Sequence, residues 1–187
     1  MIRYQDSQKN FITEAQITTL ASYYKIYFEE NLKRKIEYFE NGKLIQTSYF
    51  LDERPENFLD LCSSDKSYFY IQKNYDGFKY IECVEYFHAQ ISRIEIRIYD
   101  ADNNLICLQN RDKYSQKAIL GSTKKAFYRN NEEIYQFDYN EDGSPFMIYS
   151  NEFQGDFLAS AIGKEVDFSW EGLEYYQNAA ILLPNQT

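Results

Sequence analysis

Paired aromatic residues recur every eleven positions near the start of the chain, as Tyr27-Phe28, Tyr38-Phe39 and Tyr49-Phe50. Eleven residues hold one strand and a tight turn, so the spacing predicts three successive antiparallel strands over about residues 23–51. Asn41-Gly42 marks the hairpin between the second and third, because both residues tolerate the positive φ of a type I′ turn. A two-residue turn there sets Tyr38 opposite Ile45 and Phe39 opposite Leu44. Neighbours in a strand point to opposite faces, so each dipeptide puts a ring on both sides of the sheet. One face is core; the other needs a covering layer or forms a Tyr-rich surface for a partner.

The same patterning predicts further elements. Thr13 with Gln16 three residues on predicts a short capped helix over 13–21, docked on the sheet, and Pro55 opens a second over 55–62. Strands are expected over 67–72 and 80–87 around Asp76-Gly77, and over 105–108 after the polar turn 100–104. Ile94, Ile96 and Ile98 alternate with Glu95 and Arg97, the pattern of a strand with apolar and charged faces. Residues 111–125 are polar and expected as loop with one helical turn, followed by a hairpin of strands 134–139 and 146–149. A last short helix over 172–183 stops at Pro184. With three Pro, seven Gly and no linker, the chain is expected to be a single domain over residues 1–187. Its fold class is mainly β, bordering on α+β: a twisted antiparallel sheet or partly closed barrel built from successive hairpins, with two or three short peripheral helices.

Composition adds an unusual aromatic share of 18%, from 19 Tyr and 14 Phe. The net charge of −9 is uneven, because residues 121–187 hold 4 Lys/Arg against 11 Asp/Glu. Such a surface repels phosphate backbones, which argues against nucleic acid and favours a basic protein partner. Three Cys without CxxC spacing suggest reduced thiols, and no apolar run is long enough to span a bilayer. A cytoplasmic protein without membrane association or cofactor is the expectation.

Candidate chemistry is sparse. Asp138, Asn140, Asp142 and Gly143 match the first half of a calcium loop, but position twelve is Tyr149 and Pro145 interrupts it, so a hairpin turn accounts for the same residues. His88 is the only histidine and has no nucleophile motif beside it. Glu82 and Glu85 differ in strand parity, which sets them on opposite faces and disfavours a paired-carboxylate hydrolase. No metal site and no catalytic residue is assigned. The richest constellation interleaves Glu132, Glu133, Asp138, Glu141, Asp142, Glu152, Asp156 and Glu171 with Tyr135, Tyr139, Phe153 and Trp170. Acids steer a basic partner and rings anchor it, so these residues are the expected binding surface, with Trp170 or Tyr135 as buried anchor. The alternative is a solvated acidic face over an aromatic core.

The stretch Tyr38-Phe39-Glu40-Asn41-Gly42-Lys43-Leu44 resembles the Tyr-Tyr-Glu-Asn-Gly-Lys-Leu strand repeats of bacterial MORN-like proteins, a group with members associated with toxin neutralisation. The likeness covers about residues 23–51 and lacks the expected Gly at Asn31-Leu32. By composition the chain also resembles the immunity proteins of bacterial polymorphic and contact-dependent toxin systems. That resemblance implies a binding protein that occludes a cognate basic toxin domain and performs no chemistry. A ligand-binding β domain, for carbohydrate for example, and a carboxylate or His88 hydrolase are the competing expectations.

Overall fold

The computed structural model describes residues 1–152 and 155–184; Phe153 lies outside them. The chain is mainly β, with only short 3-10 turns where helices are expected. It divides into two compact units, Met1–Gln72 with Glu82–Arg93, and Lys73–Ile81 with Ile94–Thr187.

The first unit contains β1 (Ile2–Asp6), β2 (Phe11–Ile12), β3 (Ser22–Glu29), β4 (Leu32–Glu40), β5 (Lys43–Leu51) and part of β6 (Lys66–Tyr75), in the order β2-β1-β3-β4-β5-β6. Strands β3 and β4 turn at Glu30-Asn31, and β4 and β5 at Asn41-Gly42, all four residues at positive φ. Beyond each turn sits a β-bulge. Tyr27 pairs with Lys35 but Phe28 with Lys33, which leaves Arg34 as the extra residue. Tyr38 pairs with Gln46 and Phe39 with Leu44, so Ile45 is the extra residue and does not face Tyr38 as expected. The inserted residue has a packing consequence. An unbulged ladder continuing from Glu29↔Leu32 would set Tyr24 against Glu37, whereas the bulge sets Tyr24 against Tyr38 and Tyr23 against Phe39, with ring centroids 5.0 and 4.9 Å apart.

Register assigns Tyr23, Tyr27, Lys35, Glu37, Phe39, Tyr49 and Phe69 to one face, and Tyr24, Ile26, Ile36, Tyr38, Phe50 and Tyr70 to the other. Most of these rings remain half-exposed. Strands β5 and β6 run parallel, which demands a crossover, and the 3-10 turn Phe58–Leu61 in that crossover seats Phe58 against Phe69 and Tyr86. The opening helix is likewise one 3-10 element, Glu14–Thr19, whose Gln16 side chain accepts from the Thr13 backbone N–H at 2.8 Å. It buries none of its residues.

Residues of β7 (Phe78–Phe87) and β8 (Gln90–Tyr99), like those of β6, fall in both units. The second unit runs β8-β9-β10-β11-β12-β13, with β9 (Leu105–Arg111), β10 (Lys124–Arg129), β11 (Glu132–Tyr139), β12 (Pro145–Ser150) and β13 (Phe157–Leu158). The sheet of each unit is open at its outer edge, where it ends on a two-residue strand, β2 in the first and β13 in the second. Short edge strands leave little backbone for another chain to pair with. Strand β10 replaces the end of an expected loop, because Lys125, which reads as polar, lies in the middle of a buried face.

That face carries Ile96, Ile98, Cys107, Phe137 and Ile148, each at most 1% exposed. Phe168, Leu173, Tyr175, Tyr176, Ala179 and Leu183 from the C-terminal segment complete the cluster. The segment contains the single 3-10 turn Glu174–Gln177 where a longer helix is expected, so its carbonyls need partners from the sheet. Lys125 supplies them: its Nζ donates to the carbonyls of Tyr175, Asn178 and Ile181 at 2.7, 2.8 and 2.6 Å and lies 3.6 Å from the centre of the Tyr175 ring. Gln109 Nε2 donates to the Ala179 carbonyl and the Tyr139 hydroxyl to that of Tyr176, both at 2.9 Å.

Candidate functional site

The second unit distributes the expected binding residues over five places. Tyr135, Phe137 and Tyr139 occupy alternate positions of β11 and all face the core, at 7%, 0% and 4% exposure. Tyr135 and Tyr139 therefore offer little ring surface to a partner. Trp170 is half-buried, packed on Phe137 and Phe168 as part of the covering layer, while its neighbour Glu171 is exposed.

Glu132, Glu133, Glu152 and Asp156 gather at one end of the strands. The side chain of Asn151 donates to the Glu133 carbonyl at 2.7 Å, which ties the β11 start to the loop after β12, and Arg129 pairs with Glu152. The Tyr135 hydroxyl, on an otherwise buried ring, emerges here and donates to Glu152 at 2.5 Å. That bond, with Arg129 beside it, holds the Glu152 carboxyl below the usual range; burial, then Glu152, pushes the Tyr135 phenol up to about 12. Asp156 accepts from the Ser150 N–H at 3.3 Å, and the Tyr128 hydroxyl donates to Glu133 at 3.2 Å.

Asp138 lies on the opposite sheet face, between Lys124 at 3.6 Å and the Tyr149 hydroxyl at 3.3 Å. Glu141 and Asp142 lie at the far end of β11, in the turn that resembles a calcium loop in sequence. There Asp142 accepts from the N–H and hydroxyl of Ser144, which holds its carboxyl below the usual range. Gly143 supplies a φ of +86°, and a Cβ at that position would come within 3.2 Å of Leu120. The residues make a tight turn, and no group of three metal-ligating side chains occurs among the described residues.

The exposure pattern sharpens the electrostatics. Of the acids in residues 121–187, all but Asp138 are exposed, whereas one of the four cations, Lys125, is buried. Burial pushes the Lys125 ammonium down to about 8, with nearby Cys107 opposing the shift, and it remains charged at neutral pH. The charge that is spent inside as a clamp is lost to the surface, which leaves the exterior more acidic than the sequence count.

Two residues overlooked in sequence lie beside Glu141. Ile119 and Phe146, 45% and 49% exposed, line a cleft of about 430 Å³ with Gly121, Ser122, Tyr139, Asn140 and Glu141. Phe146 is the extra residue of a bulge, because Asp138 pairs with Met147 but Tyr139 with Pro145. No strand periodicity marks such a residue.

In the first unit, the acids of the hydrolase reading are held in ion pairs: Glu82 with Arg54 at 2.9 Å and Glu85 with Lys66 at 3.4 Å. His88 occupies the β7–β8 turn at φ +48°, exposed, 3.9 Å from Asp65. An open groove of about 670 Å³ includes Tyr27, Arg34, Lys35, Tyr49 and Asp52. Its rings are engaged, Tyr27 beneath the Lys35 ammonium at 4.1 Å and Tyr49 stacked on Phe69 at 5.0 Å. No helix among the described residues is long and apolar enough to cross a membrane. Comparison with protein-family models, curated proteins and solved structures finds no match to this chain.

Proposed function

We propose that the chain is a binding protein of the immunity type, which neutralises a basic toxin domain by occluding it. The observation that carries this reading is the separation of roles in the second unit, with rings and one lysine sealed inside and acids left outside. A rigid anionic surface of this kind accelerates encounter with a cationic partner and disfavours nucleic acid and anionic lipid. Docking then proceeds through side chains of the strand ends and turns, since the short edges β2 and β13 give little room for strand addition.

The test is co-expression with the toxin domain encoded by the adjacent gene. The expected result is rescue of growth and a stable complex whose association rate falls by about tenfold or more between low and physiological salt. Failure to rescue, with no complex formed, overturns the proposal. A complex whose association rate ignores salt removes the acidic surface from it.

A further inference from the structure

We propose that the cleft between Ile119 and Phe146 receives one lysine or arginine side chain of the basic partner, its aliphatic stem against the two apolar residues and its cationic head on Glu141. This deepens, and rests on, the reading of the chain as a binder of a basic protein. Long cationic side chains carry this division of chemistry, an apolar stem and a charged tip.

Three observations select this place over the other acidic positions. First, the Glu141 carboxylate has no hydrogen-bond or ion-pair partner among the described residues, a state it shares with Glu132, Glu165, Asp167 and Glu171, whereas Asp142, Glu152, Asp156 and Asp138 are engaged by Ser144, Arg129, Ser150 and Lys124. Second, the acid has apolar walls beside it, and these are large side chains left about half exposed. The bulge at Phe146 holds one wall out of the ladder, a common way to re-aim a side chain at a binding site. Third, the floor is built by a small residue: a Cβ on Gly121 would meet Glu141 Cγ at 3.5 Å, an ordinary contact distance, so the glycine leaves that space beside the carboxylate stem unfilled. A neutral apolar occupant would leave Glu141 unpaired beneath it, and an acidic one would meet like charge, so a cation with an apolar stem is the complementary occupant.

The cleft is tested with the blocked peptides acetyl-Gly-Arg-Gly-amide and acetyl-Gly-Lys-Gly-amide, titrated into the full chain and followed by NMR, with acetyl-Gly-Gln-Gly-amide as control. The expected result is weak saturable binding of the cationic peptides that shifts the Ile119 methyl and the amides of Gly121, Ser122 and Glu141. Loss of one charge-assisted contact in Glu141→Gln should weaken that binding about five- to tenfold. Phe146→Ser should weaken it as well, while Glu132→Gln, at the other end of the unit, leaves it unchanged. Equal shifts with the Gln peptide, shifts spread evenly over all exposed acids, or unaltered binding by Glu141→Gln would each overturn the cleft. The two proposals fail separately: growth rescue that persists undiminished with Glu141→Gln and no peptide binding removes the cleft alone, and peptide binding without rescue removes the immunity reading alone.

Discussion

The two units use the same aromatic-rich sequence style and reach different ends. In the second, Phe137, Tyr135, Tyr139, Tyr175 and Tyr176 are buried beneath a C-terminal layer. In the first, Tyr23, Tyr24, Tyr38, Phe39, Phe50 and Tyr70 are shared between two faces and stay half-exposed. The difference lies less in the strands than in what covers them. An irregular covering segment brings unpaired carbonyls into an apolar interior, and it stays there only if donors meet them. Lys125, Gln109 and the Tyr139 hydroxyl provide these donors in the second unit. The covering pieces described in the first are shorter, such as the four-residue turn Phe58–Leu61.

The contrast can be broken most severely at Phe137. Phe137→Ala, at a fully buried ring, is expected to cost about 4 kcal/mol, and Tyr38→Ala, at a half-exposed ring, about 1–2 kcal/mol, both read from urea midpoints. Equal costs would erase the distinction. Lys125→Met is expected next in size, about 3 kcal/mol, because it leaves three carbonyls without their donor. Hydrogen exchange should show residues 173–183 losing protection first.

A titration sharpens the same point. The Lys125 ammonium is disfavoured in the fold, about 8 against 10.5 when free, so between those values the unfolded chain holds more protons. Its contribution to stability therefore rises as pH climbs from about 8 toward 10.5, and Lys125→Met should lack this rise. Two phenols act in the opposite sense, since Tyr128 and Tyr135 are pushed up to about 12, with partial burial the largest cause. Above about pH 10 the unfolded chain ionises first and stability falls. In the first unit the corresponding group is Glu37. Burial would raise its carboxyl, but hydrogen bonds from Lys35 and Tyr27 outweigh it and hold it below the usual range. Its contribution is present at neutral pH and lost as pH falls through the acid range, so Glu37→Gln should flatten the acid limb of a stability profile.

The smallest expected effect is at turns. His88-Ala89 and Glu30-Asn31 adopt positive φ without glycine, so Ala89→Gly and Glu30→Gly should each stabilise by about 0.5–1 kcal/mol in thermal melts. No gain at either position would contradict the turn geometry.

Much of this fold is legible in sequence because turn residues and period-two patterns are local. Asn41-Gly42 and Asp76-Gly77 mark hairpins, and Ile94, Ile96 and Ile98 mark a buried face. Bulges are not legible, since they depend on which residue the partner strand presents; the misplaced pairing of Tyr38 with Ile45 follows from that. Lys124-Lys125 conceals β10, because a buried lysine is recognisable only with the carbonyls that bind it. The candidate surface divides the same way. The alternation of Tyr135, Phe137 and Tyr139 with Gln136 and Asp138 is itself a core signal, strong enough to have separated those rings from the acids. Ile119 and Phe146 carry no comparable mark, one lying in a loop and the other being a bulge residue.

Trp170, the only tryptophan, sits in the covering layer against Phe137 and Phe168, so its fluorescence reports on that layer directly. The most direct measurement compares its emission and its quenching by acrylamide in the wild-type chain and in Lys125→Met, without denaturant. If Lys125 holds the layer on the sheet, the variant emits at longer wavelength and is quenched more readily; unchanged emission and quenching would show that the layer stays in place without its clamp.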